Sequence, residues 1–185
     1  MRISNRLDTL SLYSLARRNE GEQMTVELIL KHNISESISA KETDDFLTVA
    51  KKLSENNATA VIVLDPSGGL SRLITEHDLV RAFAKSEGNT SAVSARDMMT
   101  KKVFVCSPGD TEIQLMNYML QKGVRHMPVV ESGKVLGIVS LSEAVRHRLL
   151  KINLLFEKMV KETDDGKRIG HFTKHLLSRR QPKAI

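Results

Sequence analysis

Two stretches of this 185-residue chain follow one pattern 65 residues apart, aligned without a gap. Residues 58–64 lie over 123–129, residues 66–70 over 131–135, and residues 73–81 over 138–146. Few identities survive, but apolar and turn positions stay in register, so each copy reads as one supersecondary unit. A unit of roughly 50 residues buries too little surface to stand alone, so the two copies are expected to share a core. Clefts between related halves are where small ligands tend to bind.

Local pattern gives each copy the same order of elements. Met24–His32 reads as a short helix leading into the first copy, and Phe46, Val49, Ala50 and Leu53 fall at helical spacing. The continuous β-branched run 60–64 has the pattern of a strand buried on both faces. Asp65-Pro66-Ser67-Gly68-Gly69 is a turn, 70–74 returns as a strand, and 76–85 follows as a helix burying Leu79, Val80 and Phe83. The second copy predicts a strand over 102–106 and a helix whose stripe is Leu115, Met116, Met119 and Leu120. Strands over 127–130 and 135–139 come next, then a helix from Leu141 toward Met159. The expected fold class is α+β, two β-α-β-β-α repeats packed about a pseudo-two-fold axis. The expected divisions are an N-terminal extension (1–23), a first repeat with lead-in helix and linker (24–90), a second repeat (91–152), and a C-terminal helix with basic tail (153–185).

Charge needs to be located before it is interpreted. The net +6 comes from Lys167, Arg168, Lys174, Arg179, Arg180 and Lys183, in a tail that holds no acid. The other 22 basic residues balance 22 acidic ones, so the body of the protein is neutral. A solvated tail is the expectation, with nucleic-acid binding through residues 167–185 the less favoured alternative. Aromatics make up 4%, too few for a platform that stacks single-stranded bases. Cys106, the single cysteine, excludes an internal disulfide framework and reads as a small strand hydrophobe in a reducing compartment, here the cytoplasm. No apolar run approaches the ~20 residues of a bilayer span, and 1–23 lacks the apolar region of a secretory signal. Arg2, Arg6, Arg17 and Arg18 among serines give 1–23 a faint transit-peptide flavour that Asp8, Glu20 and Glu22 oppose. Met24 offers an alternative start.

The polar device shared by the copies stands where the last strand meets its helix: Thr75-Glu76-His77-Asp78 and Ser140-Leu141-Ser142-Glu143. Ser/Thr-x-x-Glu at a helix mouth is the capping box. Turned outward, the same carboxylate can accept from two adjacent hydroxyls, as on a ribose diol, beside N–H groups that favour an anion. The shorter Asp78 makes the poorer box and therefore the better ligand candidate; Glu143 suits the cap. Both readings stay open at this level. Ser/His/Asp order, paired C-x-x-C spacing and a Gly-rich phosphate loop are all missing, so no enzyme is expected.

Arg96-Asp97-Met98-Met99-Thr100, Gly123-Val124-Arg125-His126-Met127-Pro128-Val129-Val130 and Gly137-Ile138-Val139-Ser140-Leu141-Ser142-Glu143 resemble a tandem pair of cystathionine-β-synthase (CBS) domains. Leu73-Ile74-Thr75-Glu76-His77-Asp78-Leu79-Val80-Arg81 is similar to the same element in the first copy. The resemblance covers about residues 24–150 and is closest to small stand-alone bacterial CBS-pair proteins. It implies a Bateman module, a non-catalytic regulator that binds adenosine nucleotides between its repeats, AMP first, with ADP, ATP or NAD(P)H as further ligands and no required cofactor. It implies that Asp78 with Thr75 holds the ribose, that Thr100 joins them, and that Arg125 and His126 face the phosphates with help from His77 and Arg81. Val103, Val105, Met127 and Pro128 would pack the adenine, and Ser140 with Glu143 would serve the second cleft. A neutral-range His126 would then weaken phosphate binding as pH rises.

Three departures from the family pattern predict unequal clefts. Glu143 replaces the usual Asp, Ala60 and Val61 lie opposite Arg125 and His126, and Arg72 lies opposite Gly137. The Thr75/Asp78 cleft is the expected better site. Implied partners are an adenine nucleotide, a second copy in a homodimer and an unidentified protein target, away from any membrane. The alternative is an interaction scaffold whose clefts are vestigial.

Overall fold

The computed structural model of the protein describes residues 24–32, 38–100 and 102–162. The expectations for 1–23 and for the basic tail beyond 162 lie outside the described residues. In chain order the elements are α1 (Val26–His32), β1 (Ser39–Lys41), α2 (Phe46–Glu55), β2 (Ala60–Leu64), β3 (Leu70–Thr75) and α3 (Glu76–Lys85). They continue with α4 (Ala95–Met98), α5 (Glu112–Lys122), β4 (His126–Glu131), β5 (Lys134–Ser140) and α6 (Leu141–Glu162). The β-branched run becomes β2, the central strand of three, parallel to β1 and antiparallel to β3. It is buried along most of its length, as a strand covered on both faces requires. Asp65 shapes the hairpin that follows by accepting from the Ser67 and Gly69 amides at 2.8 and 2.9 Å, while Gly68 takes a φ of +84°.

The pairing registers correct the gapless alignment. Ala60 faces Thr75 in the first repeat, and His126 faces Ser140 in the second. The helices after the hairpins start 65 residues apart, at Glu76 and Leu141, but those before them start 66 apart, at Phe46 and Glu112. The second hairpin is one residue shorter: Leu64 pairs with Leu70, but Val130 pairs with Val135. Thr59 and Ala60 are therefore the counterparts of Arg125 and His126, in place of Ala60 and Val61.

This register also explains a missing strand. A strand is expected over 102–106, yet only Cys106 bridges β4, through Cys106 N–H to Pro128 C=O at 3.0 Å and Val130 N–H to Cys106 C=O at 2.9 Å. In the first repeat the next bond of the ladder runs from Ile62 N–H to Ile38 C=O, at 3.0 Å. Pro128 stands at the position of Ile62 and has no N–H to give, so the second ladder stops there.

The lead-in segments are exchanged between the halves. α1 precedes the first repeat but packs into the second: Val26 and Glu27 donate their N–H groups to Asp110 and Pro108, and Glu112 donates to Met24. Met24, Val26 and Ile29 join Leu115, Met119, Met127, Val129 and Val139 in one core. α4 does the converse, with Ala95 N–H bonded to Asp44 C=O and Ala95 and Met98 buried against Val49, Leu53, Val61 and Ile74. Glu42 secures it, accepting from Ser71 and from the Arg96 guanidinium, contacts that hold its carboxyl below the usual range. Each core therefore needs residues from the other half's sequence neighbourhood, and the two repeats fold as one body.

Two expected helix faces shift. Val80 and Phe83 of α3 stay 66% and 53% exposed, with Asp78 the buried residue of that helix. On α5, Leu115 and Met119 are buried but Leu120 is exposed, and Glu112 is buried in its place. The sheet covers a narrower arc of each helix than the apolar positions span, leaving the outer ones uncovered.

Candidate functional site

Thr75 and Asp78 sit where β3 runs into α3. The Asp78 carboxylate accepts through Oδ2 from the Thr75 amide at 2.9 Å and the Thr75 hydroxyl at 2.6 Å. The Thr75 oxygen accepts in turn from the Asp78 amide at 3.4 Å. Aspartate thus completes a capping box despite its shorter side chain, against the expectation that it would make the poorer one. Oδ2 carries the cap, while Oδ1 has one contact, the Arg81 guanidinium at 3.3 Å. In the second repeat Glu143 Oε2 accepts from the Ser140 amide and hydroxyl at 2.7 and 2.8 Å. The two ends are built alike, and both boxes are formed.

Between the repeats lies a cleft of about 810 Å³. The first repeat contributes Thr59, Leu73, Thr75, Glu76, His77 and Asp78 to its walls; the second contributes Lys102, Val103, Phe104, Val124, Arg125, His126, Ser140 and Ser142, and Thr100 comes from the connection. Of the residues named from sequence, the structure brings Thr75, His77, Asp78, Thr100, Val103, Arg125, His126 and Ser140 to this one space. It leaves Arg81, Val105, Met127, Pro128 and Glu143 out of the walls. Arg81 is drawn to Asp78 on the helix flank, and Val105 is exposed elsewhere. Met127 follows His126 on the opposite strand face and is buried in the core. Pro128 lies behind it against Cys106, and Glu143 is held at its own helix end.

Thr59, Glu76, Lys102 and Phe104 were not anticipated. Thr59 emerges once the offset of 66 is applied, because it is the counterpart of Arg125; Lys102 and Phe104 flank a residue already named. Phe104 meets the Tyr118 ring edge-on at 5.8 Å, and the Lys122 ammonium lies 5.7 and 5.5 Å from the two ring centres.

Three features give the cleft its chemistry. The Thr100 hydroxyl oxygen is buried and lacks a hydrogen-bond partner among the described residues, while its amide bonds Leu73 C=O at 2.9 Å. Lys102 and Arg125 supply positive charge from the second repeat, and Glu76 and Asp78 negative charge from the first. His126 Nε2 is 2.8 Å from Thr59 Oγ1, a bond that joins the repeats. Burial pushes the His126 pKa below its ordinary value, Glu143 and Glu76 pull against this, and Arg125 adds to it. Cys106 takes no part: burial pushes its thiol up to about 12, so it stays protonated and inert. Among the described residues no cluster of His, Cys, Asp and Glu could hold a metal ion, and no helix is long and apolar enough to cross a membrane.

The CBS domain family matches residues 27–85 and 95–149 of this chain. A CBS-domain containing protein of Agrobacterium tumefaciens has a similar crystal structure, with a TM-score of 0.65 and 30% identity, covering 70% of this chain and 96% of that one. A CBS domain protein of Pyrobaculum aerophilum, solved in complex with AMP, aligns with a TM-score of 0.62 over 72% of this chain and 99% of its own, at 19% identity. In sequence, a 17.7 kDa protein of Acidianus ambivalens is 32% identical over 115 residues, 61% of this chain and 68% of that protein. The chain spans 64% and 68% of the length of two such curated relatives and about half or less of others, 53% and 41% in two of them.

Proposed function

The chain belongs to the CBS domain family, and on that premise we propose that it is a non-catalytic regulatory module that binds an adenosine nucleotide, AMP first, between its repeats. The observation that carries this is the Thr100 hydroxyl, buried and unpartnered among the described residues, in the wall of an open cleft that also holds the Asp78 carboxylate and the Lys102 and Arg125 cations. A buried hydroxyl without a partner costs about 1–3 kcal/mol, which rotation of the Thr100 side chain toward a bound ligand would recover. An ionised carboxylate has about four lone-pair sites. Asp78 can therefore keep its cap through Oδ2 and accept ribose hydroxyls through Oδ1. The capping and ligand readings then describe one residue in both roles.

The paired cations favour a ligand that carries phosphate, which keeps ADP, ATP and NAD(P)H within the reading. The AMP complex of the Pyrobaculum aerophilum protein supports an adenine ligand for this fold. Val80, Leu149 and Ile152 leave exposed apolar surface on α3 and α6, consistent with a homodimer whose halves would shift with the ligand and be read by a protein target. The cytoplasm suits such a sensor of energy state. Isothermal titration of AMP tests the site: binding is expected for the natural chain and lost in Asp78→Ala, and undiminished binding by that variant would remove the assignment. The scaffold reading predicts a cleft that takes no nucleotide. A ligand at 100 times its Kd adds about 2.7 kcal/mol of stability. A thermal-shift screen flat for every adenine nucleotide would favour the scaffold.

A further inference from the structure

Resting on the nucleotide reading of the cleft, we infer that an anion entering it brings a proton onto His126, and that the Thr59 hydroxyl reverses its hydrogen bond so as to donate to that anion. The geometry is a single junction. His126 opens β4, Thr59 precedes β2, and the 2.8 Å bond between Nε2 and Oγ1 spans the repeats inside the cleft. The charged groups that act on the ring come from three directions: Glu76 at the start of α3, Glu143 in the first turn of α6, and Arg125 beside it in sequence. Before an anion enters, the half-buried ring is neutral, and Nε2 can accept from the Thr59 O–H. An anion held by Arg125 and Lys102 cancels the repulsion of an imidazolium by Arg125 and adds attraction of its own. The ring then takes a proton from solvent, Nε2–H donates to Thr59 Oγ1, and the hydroxyl hydrogen is released to point at the anion. No bond between heavy atoms changes, and the repeats stay linked throughout.

The position is peculiar to one half of the molecule. Ala60 is the counterpart of His126 and Arg125 that of Thr59, so the pseudo-symmetric mate of this junction offers neither an imidazole nor a threonine hydroxyl. The proton-linked step belongs to the Asp78 side alone.

The ring's Cε1–H resonance, followed by NMR from pH 5 to 8, reads the proton directly. It is assigned by its loss in His126→Gln and recorded with no ligand, with saturating adenosine and with saturating AMP. The expected result is a His126 pKa raised by about one unit or more by AMP and unmoved by adenosine, with a smaller rise in Thr59→Val. Affinity for AMP should then rise up to tenfold for each unit of pH lowered across that window, beyond the profile of His126→Gln, which reports the phosphate's own titration. Saturation by AMP without movement of the His126 pKa overturns this inference and leaves the nucleotide site standing. Failure of both adenosine and AMP to saturate the cleft overturns both.

Discussion

Where the first repeat sets Phe46 of α2 against Phe83 of α3, ring centres 6.4 Å apart, the second sets Glu112 of α5 against Arg148 of α6, 3.1 Å from Oε1 to Nη1. The positions are equivalent, each pair joining the first residue of one helix to the eighth of another. One backbone geometry therefore accepts an apolar contact in one half and an ion pair in the other. Glu112 is almost fully buried, tolerable because the N-terminus of α5 and the guanidinium both stabilise its charge. The same divergence runs through the ligand side, where Thr59 answers Arg125, Ala60 answers His126 and Glu143 answers Asp78. Duplication preserved the frame and let the chemistry separate, giving one cleft wall its cations and leaving the other without.

Breaking the ion pair tests this most severely. Arg148→Ala should cost about 3 kcal/mol in urea denaturation, the low end for an uncompensated buried charge because the arginine is itself partly exposed. The double change Glu112→Phe with Arg148→Phe, which copies the first repeat, should recover most of that loss. A double variant no more stable than Arg148→Ala would show that the two sites differ in shape as well as polarity. Next in size, Asp78→Ala and Glu143→Ala should each lose a cap worth about 1 kcal/mol. AMP binding should weaken at least tenfold in the first and hold in the second. Equal losses of binding would make the clefts equivalent.

The third prediction concerns pH. The folded-state pKa of His126 is depressed, so between it and the unfolded value near 6.5 the unfolded chain binds more protons. Stability should therefore rise with pH through that window and fall as pH drops below about 6.5, by at most about 1.4 kcal/mol per unit. His126→Gln should flatten this contribution in denaturation curves from pH 5 to 7. The smallest effect is expected of Pro128→Val, which restores the N–H that Ile62 provides in the first repeat. Hydrogen exchange should reveal a newly protected backbone amide at the substituted position, with a stability change within about 1 kcal/mol. Absence of that protection would mean that proline is not what ends the second ladder.

Much of this was legible in residues alone. The β-branched run 60–64, the turn at 65–69 and the boxes at Thr75 and Ser140 carry local signals that need no partner. The strand expected at 102–106 was not legible as a miss, because the bond it lacks would have come from Pro128, more than 20 residues away. The single-residue difference between the hairpins escaped because both turns are rich in residues that permit tight backbone, and either length aligns the flanking apolar positions. Lys102, Phe104 and Thr59 could be placed in the cleft only after the register was known. Arg81, Val105 and Met127 are implied by the family resemblance, whereas Arg81 pairs with Asp78, Val105 is exposed outside the cleft and Met127 is buried in the core.

Sequence by itself determined that there are two units, the hairpin and flanking helices of each, and which end of each carries a carboxylate beside a hydroxyl. These rest on periodicity, turn chemistry and capping, all of which act over a few residues. Tertiary structure decided that α1 belongs to the second core and α4 to the first, that Glu112 meets Arg148, and that the Thr100 hydroxyl is left buried without a partner among the described residues. Those outcomes depend on which distant backbone groups and surfaces meet when two half-cores close on each other, and no stretch of chain contains both sides of such a contact.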